Sequence, residues 1–268
     1  MRWIAPLALA ALLAPIAPRA VRAQTEGDYV IQNFHFTDGE TMPEVRQHWM
    51  TLGKPRTDAK GLTTNAVLIQ HGTTGTGRQF LSPVFAGVLY GPGQLLDTTK
   101  YYIILPDGLG HGKSSKPSDG MHAHFPHYDY ADMIRAQYEM LTKGLEVNHL
   151  LIVMGTSMGG MHTWLWGEMY PDYMDGLMPL ASLPTAMSGR NRMMRRLMKD
   201  DIVEDPGYDG GDYKTQPRGL SAALQLMFMM TSSPRQLQKH YPTTASADAY
   251  IEEWMQRVLA HEDANDHC

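Results

Sequence analysis

The chain has 268 residues, which is enough for one large α/β domain, or a domain with a cap, and for a sizeable core. Its 28 acidic and 23 basic side chains give a formal charge of −5. An acidic chain disfavours phosphate backbones, so we expect no nucleic-acid partner. The single cysteine, Cys268, excludes an intrachain disulfide and a zinc–thiolate site.

Residues 1–23 have the pattern of an export signal. Arg2 supplies the positive start, an apolar run covers 4–17, and small residues end the segment at Val21-Arg22-Ala23. A membrane anchor is the competing interpretation, but the run is short and interrupted by prolines. We therefore expect an exported (periplasmic or secreted) protein without stable membrane insertion. Its mature chain would carry 20 basic and 28 acidic side chains, a formal charge of −8.

Residues 24–184 predict the N-terminal part of an α/β core. Alternating short runs between 28 and 52, separated by Asp38-Gly39, are typical of antiparallel strands. Four apolar runs follow, each the length of a strand buried on both faces: 66–69, 102–105, 150–153 and 176–180. Helical patterns at 130–145 and 161–170 separate the later runs. This alternation predicts a mostly parallel sheet with right-handed crossovers.

Residues 185–268 have a different pattern. They are helical, charged and rich in methionine, with an Asp-Pro-Gly break at 205–207. Methionines at helical spacing are more often core filler than a special binding surface. We predict a helical cap, and the start of a return to the core, over the carboxyl edge of the sheet, where ligands bind in such sheets.

The motif Gly155-Thr156-Ser157-Met158-Gly159 carries the strongest chemical signal. Glycine and serine are common in ordinary turns, but this G-x-S-x-G stands between a four-residue apolar run and a helix. A direct turn from strand to helix strains the serine backbone, and Gly155 and Gly159 let neighbouring backbone approach. The hydroxyl then stands at a helix start, where the dipole favours a developing negative charge. The motif therefore predicts Ser157 as a nucleophile.

The glycine-rich stretch 106–115 suggests phosphate binding at first sight. A P-loop needs G-x-x-x-x-G-K-[ST] leading directly into a helix. Residues 108–114 have the wrong spacing, and Pro117 follows where a helix should begin. We therefore do not predict a phosphate site here.

His122, His124 and His127 form a local cluster of imidazoles, a ligand type that suits zinc or copper. Nothing in the pattern gives them a helical or hairpin spacing. A solvated loop is the favoured interpretation, and we predict neither a metal site nor a cofactor.

Several runs along the mature chain share the pattern of one enzyme family. They are 130–137, 155–161, Trp166, 170–171, 180–182, 205–206, 210–213 and 263–266. Together they resemble the homoserine O-acetyltransferase branch of the α/β-hydrolases. The Ser-Met-Gly-Gly-Met run at 157–161 is the most specific of them. The resemblance implies an α/β-hydrolase fold and an acyl-enzyme formed at Ser157.

Two backbone N–H groups are expected to hold the oxyanion. Residues 71–75, His-Gly-Thr-Thr-Gly, follow the first buried run, and a loop at this place in an α/β-hydrolase supplies one donor. We choose Thr73, with Gly72 as the close alternative. The N–H of Met158, the residue after the nucleophile, is the other donor. We interpret His71 as a loop residue held by backbone hydrogen bonds, without a role in proton transfer.

The sequence departs from the resemblance at the substrate position. In family members that bind homoserine, a run like Gly-Leu-x-x-Ala-Arg presents an arginine to the carboxylate. Here 219–224 ends in Leu224, which cannot form a bidentate carboxylate clamp. Export also argues against acetyl-CoA as the acyl donor, since that compound is largely intracellular. A hydrolase acting on an ester fits better than a transferase.

A second departure concerns the catalytic acid and base. In α/β-hydrolases these follow the serine in the chain, in the order acid and then histidine. No further buried run precedes Cys268, so we expect the final strands and both partners to be missing by truncation. Substitution by one of the internal histidines is the less favoured interpretation: His111, His162, His261 or His267. An uncovered edge at the fourth run predicts self-association into a homo-oligomer.

The sequence as a whole predicts an exported α/β-hydrolase-type acyl ester hydrolase that acts on a small-molecule acyl substrate through Ser157. O-acyl transfer and a catalytically inactive, truncated α/β-hydrolase-fold protein are the alternatives. Metal-dependent hydrolysis through His122 and its neighbours is a third hypothesis, which bound zinc in the purified protein would support.

Overall fold

A computed structural model describes residues 24–268 of the protein, and the predicted export signal at 1–23 lies outside these described residues. Six strands form one sheet. They are β1 (Thr25–His35), β2 (Thr41–Leu52), β3 (Ala66–Gln70), β4 (Tyr102–Pro106), β5 (Ile152–Thr156) and β6 (Leu177–Leu180). The order across the sheet is β1-β2-β4-β3-β5-β6.

Four of the strands are parallel, and an antiparallel hairpin extends the sheet on one side. β3 pairs in parallel with β4 and β5, and β5 pairs in parallel with β6. β2 runs antiparallel to both β1 and β4. The predicted α/β fold with a mostly parallel sheet is therefore confirmed, including the antiparallel strands that lead into it.

Seven α-helices accompany the sheet in the described part of the chain. They are α1 (Pro83–Leu89), α2 (Tyr130–Glu139), α3 (Met158–Met169), α4 (Gly189–Val203), α5 (Arg218–Thr231), α6 (Pro234–His240) and α7 (Thr244–Leu259). A π-helical turn, Met140–Gly144, continues α2. None of these helices is long and apolar enough to cross a membrane.

The central strands are buried on both faces because alternate side chains point to opposite sides of the sheet. Leu68 and Ile104 pack on one face in a cluster with Trp166 of α3. Val67 and Ile103 pack on the other face. Every residue of β3 and β4 is buried, as the continuous apolar runs predict.

Strand β6 agrees with the predicted uncovered edge but not with the burial that its apolar run predicted. We expected burial on both faces, but Leu177 and Met178 remain 37% and 45% exposed. The reason is position: β6 is the last strand of the sheet order and pairs only with β5. The strand forms an apolar edge of the described sheet.

Strand β5 begins two residues later than the apolar run that predicted it. Leu150 forms only an isolated bridge with Met174, outside the strand. The pairing continues instead through Gly155 and Thr156, which lie opposite Pro179 and Leu180. The ladder therefore extends up to Ser157 and fixes the position from which its side chain projects.

Helix α2 is anchored to the hairpin by a buried carboxylate. Asp129 and Asp132 form a capping box, with hydrogen bonds of 3.0 and 3.1 Å between each side chain and the other residue's N–H. Asp132 also accepts from the N–H and the hydroxyl of Thr37, at 2.9 and 2.8 Å. The link fixes the helix start that enters the cleft described below.

The region after residue 185 contains helices α4 to α7 and has its own apolar cluster. Met198 and Ile202 of α4 pack in it with Leu220 and Leu224 of α5. Leu224, the residue at the arginine position of the resemblance, is fully buried there. The division of the chain at 184 and 185 into core and cap stays a prediction.

Candidate active site

Ser157 occupies a strained turn between β5 and α3. Its backbone angles are φ 56° and ψ −114°, in a region that side-chain-bearing residues rarely adopt. Its N–H donates to the Leu180 carbonyl at 2.9 Å, and its carbonyl accepts from the Met161 N–H at 3.0 Å. The residue is exposed. The two backbone bonds hold the strained conformation and leave the side chain accessible.

Two glycines make this turn sterically possible. A Cβ at Gly159 would lie 2.2 Å from the Gln70 carbonyl oxygen of β3, and one at Gly155 would lie 2.3 Å from the Gly159 carbonyl oxygen. Both neighbours are backbone atoms, so a side chain could not be accommodated by a rotamer change. The helix start thus packs directly against the end of the central strand.

The loop after β3 lies beside the serine. A Cβ at Gly72 would be 3.5 Å from the Ser157 Cβ. The Thr73 N–H forms no hydrogen bond with another described group. Met158 is the first residue of α3, where an N–H has no intrahelical partner. The structure thus leaves the two expected oxyanion donors free and places their segments next to Ser157.

The buried His71 side chain braces the loop after β3. His71 accepts from the Gly108 N–H through Nε2 at 2.8 Å, so its Nδ1 carries the proton and donates to the Gly72 carbonyl, also at 2.8 Å. Burial, with a contribution from His111, lowers the pKa of His71 to about 3. His71 is therefore a neutral brace for the loop, as the sequence predicts.

His111 and His162 each bond to a group other than Ser157. His111 lies 5.2 Å from His71 between ring centroids, bonds the Leu109 carbonyl at 3.1 Å, and has its pKa lowered by burial. His162 is fully buried, its Nδ1 lies 3.1 Å from Gln70 Oε1, and burial lowers its pKa to about 3. Neither ring hydrogen-bonds to Ser157.

His267 and His261 lie in the last segment of the chain. His267 Nε2 lies 2.9 Å from Glu262 Oε2, while His261 is exposed. Both line the same cleft as Ser157. No histidine among residues 24–268 hydrogen-bonds to the Ser157 hydroxyl.

The stretch that mimicked a P-loop is organised by a buried acid. The Asp107 carboxylate accepts from the Gly77 N–H at 2.8 Å and from the Lys113 N–H at 2.9 Å. A carboxylate at the centre of the turn opposes binding of a second anion. The turn therefore connects the loops after β3 and β4 and does not form a phosphate cradle.

The histidine cluster lies at the rim of the cleft, where His122–His124 form a short 3₁₀ turn and His122 and His127 line the cleft. His122 lies 3.0 Å from Asp212, and His124 and His127 are exposed. Within residues 24–268 no group of three potential ligands is arranged to hold a metal ion.

The cleft above Ser157 has a volume of about 1650 Å³. The core contributes the loops after β3, β4 and β5, and the opposite wall comes from α4, α5, α7 and the final turn. A short 3₁₀ turn, Ala264–His267, connects the two sides: Asp266 accepts from the Ser118 N–H and hydroxyl and forms a salt bridge with Lys116 at 3.0 Å. The ligand space thus lies at the carboxyl edge of the sheet, where the sequence predicts it.

Sequence reasoning missed a basic residue beside the loop after β3. Arg195 of α4 is half-buried, donates from Nη2 to the Thr73 hydroxyl at 2.8 Å, and donates from Nε to Asn191 at 3.0 Å. Its signal was present as basic residues at helical spacing at 192, 195 and 199. The methionines of the same helix favour core packing in a reading of the sequence, so the basic residues between them were not singled out.

Comparison with known proteins identifies the family. Residues 65–209 match the model of the alpha/beta hydrolase fold family, and the chain therefore belongs to that family. Over 203 residues it is 33% identical to a protein named probable acyltransferase from Methanothermobacter thermautotrophicus, covering 75% of this chain and 61% of that protein.

Within the family, the resemblance to the homoserine O-acetyltransferases is confirmed. The chain is 32% identical over 225 residues to the homoserine O-acetyltransferase of Pelobacter propionicus, covering 78% of this chain and 59% of that enzyme. It thus spans about three-fifths of the length of these relatives. Its fold matches the acetyl esterase MekB with a TM-score of 0.75 at 24% identity, over 91% of this chain and 70% of that one.

Proposed function

We propose that the protein is an acyl ester hydrolase in which Ser157 attacks the ester carbonyl. The tetrahedral intermediate would place its oxyanion at the N–H groups of Thr73 and Met158. Collapse would expel the alcohol and leave an acyl group on the Ser157 oxygen. Attack by water on that acyl group would then release the acid and restore the hydroxyl.

The observation that carries this proposal is the conformation of Ser157. Strain at a residue persists only where the surrounding structure enforces it, and such strain clusters at functional sites. Here Gly155, Gly159 and the Leu180 carbonyl enforce it, and the result is an exposed hydroxyl at the start of α3 facing a large cleft. Each oxyanion donor in such a site is worth about 3 to 4 kcal/mol of transition-state stabilisation.

The general base is the incomplete part of the proposal. His71 is held in one tautomer, and His71 and His162 stay neutral until about pH 3. Ser157 would thus act as the nucleophile and the N–H groups of Thr73 and Met158 would hold the oxyanion, while His71 and His162 would transfer no proton. A serine without its partners retains only weak reactivity from the oxyanion hole and binding.

Two other functions each have a supporting observation. O-acyl transfer is favoured by the names of the sequence relatives, and an acceptor alcohol would then replace water at the acyl-enzyme. A non-catalytic binding role is favoured by the absence, among residues 24–268, of a hydrogen bond from a histidine to Ser157. Leu224, buried where the resemblance would place an arginine, disfavours homoserine as the acceptor.

We also propose that the protein is exported. The support is the residue pattern of 1–23, with a positive start, an apolar run and small residues at the end. To test this proposal, the full chain is expressed and the intact mass of the periplasmic or secreted product is measured. A mature N-terminus near Gln24 is the expected result, and retention of all 268 residues in the cytoplasm contradicts it.

The function is tested by labelling the purified chain with a fluorophosphonate, with Ser157→Ala as the control. Intact mass would show one adduct in the parent chain and none in the variant. Acyl transfer is distinguished by adding an alcohol acceptor to an ester assay and measuring the new ester. If folded parent chain takes no label, the nucleophile assignment fails and the non-catalytic function replaces it.

A further inference from the structure

One face of α4 is basic where it enters the cleft. Arg192, Arg195 and Lys199 are spaced by three and four residues, so their side chains lie on the same side of the helix. All three line the cleft that contains Ser157. We call these three residues the basic face.

The basic face has no carboxylate partner within residues 24–268. None of its members takes part in a salt bridge with a described residue. Arg196, one position further along α4, behaves differently: it bonds both oxygens of Asp200, at 2.6 and 2.7 Å, away from the cleft. All three cations of α4 that line the cleft are therefore without an ion-pair partner among residues 24–268.

The acids of the cleft wall are already engaged. Glu262 pairs with His267 at 2.9 Å, and Asp266 pairs with Lys116 and with Ser118. Asp129 accepts from the Asp132 N–H in the capping box. None of these acids forms an ion pair with the basic face, in a chain with formal charge −5.

Arg195 is held against the loop after β3. Its bonds to Asn191 and to the Thr73 hydroxyl fix the guanidinium beside the loop that adjoins Ser157. A guanidinium has five N–H donors, so three remain for a ligand. A planar carboxylate matches this fork with two parallel hydrogen bonds.

The surroundings of the basic face are apolar. Met194 and Met198 on the same helix, Met227 and Met230 on α5, and Trp254 on α7 also line the cleft. Thioether and indole surfaces accept an acyl or alkyl chain of variable shape. The wall therefore combines an apolar surface with a cationic end next to the oxyanion loop.

We propose that the basic face, through Arg195, binds a carboxylate carried by the substrate, so that the ester attacked is an anionic one such as a dicarboxylic acid monoester. This substrate class rests on the proposed function of Ser157. Arg195 acts as a specificity-determining residue, holding the anionic end while the ester carbonyl lies at Ser157.

The test uses a chain with Ser157→Ala, which binds esters without consuming them. Monomethyl glutarate and dimethyl glutarate are titrated by ligand-observed NMR, since they differ in one charge and share the same chain. We expect the monoester to bind about 10-fold tighter or more, with a preference that weakens as salt is raised.

Arg195→Gln should remove this preference, and the neighbouring Arg196→Gln, which lies outside the cleft, should keep it. The double variant Arg192→Gln/Lys199→Gln should also reduce the preference for the monoester, and it leaves the bond between Arg195 and Thr73 in place. Equal binding of the two esters by a folded chain, or equal preferences in the two single variants, overturns the inference. If the parent chain takes the fluorophosphonate label but Ser157→Ala binds the two esters equally, only this inference is refuted. If Ser157→Ala prefers the monoester but the parent chain takes no label, only the nucleophile assignment is refuted.

Discussion

Substitution of Gly159 by alanine tests the close contact on which the elbow depends. The new Cβ would lie 2.2 Å from the Gln70 carbonyl oxygen and 2.7 Å from that of His71, whereas ordinary contacts begin at 3.4 Å. The start of α3 and the end of β3 would have to separate by roughly 1 Å. Because both partners are backbone, we expect a cost of about 3 kcal/mol or more, at the upper end of overpacking effects.

The cost is measured by urea unfolding. With an m-value of about 3 kcal/mol/M, the expected loss lowers the midpoint by about 1 M or more. Gly87→Ala is the matched control, since a Cβ at Gly87 in α1 meets nothing within 4 Å. Alanine should raise helix stability there by up to about 1 kcal/mol. Indistinguishable midpoints for the two variants would refute the steric argument for the elbow.

Three further predictions concern the supports around the site. Because the pKa of His71 and His162 is about 3 when folded, the unfolded chain takes up protons first as the pH falls below about 6.5. The free energy of unfolding should then decrease by up to about 1.4 kcal/mol per pH unit for each histidine. Urea midpoints from pH 7 to pH 4 measure this decrease. His162→Gln should make the midpoint depend less steeply on pH. Asp266→Ala removes the bonds to Ser118 and the ion pair with Lys116, and should cost about 1–3 kcal/mol. The substitution should also increase protease cleavage near 264–267. Unchanged cleavage would contradict the view that Asp266 holds this turn against the core. We propose that the apolar β6 edge causes self-association, so Met178→Lys should shift the sedimentation coefficient toward a monomer; a parent chain that is already monomeric would contradict the proposal.

The sheet was predictable because burial on both faces leaves a simple record in the sequence. Each residue of β3 and β4 must be apolar or satisfied, so the four-residue apolar runs 66–69 and 102–105 mark both strands. The strained turn at Ser157 was predictable for a related reason: Gly155 and Gly159 fill places where no Cβ fits. Both signals are visible within one short segment of sequence, although Gly159 is required by its contact with Gln70 of β3.

Features that depend on distant partners were not predictable. The role of Arg195 depends on Thr73, a residue more than a hundred positions earlier in the chain. Leu224 could be identified as a missing arginine, but its burial in the helical cluster follows from packing with α4.

Helix α4 packs against α5 and lines the cleft at largely different positions. Ile202 packs only in the cluster with α5, Met198 takes part in both, and Asn191, Arg192, Arg195 and Lys199 line the cleft. The strained turn at 155–159 belongs to another part of the chain. A saturation library at codons 191, 192, 195 and 199 therefore varies one wall of the cleft while the turn that carries Ser157 and the packing of Ile202 stay unchanged.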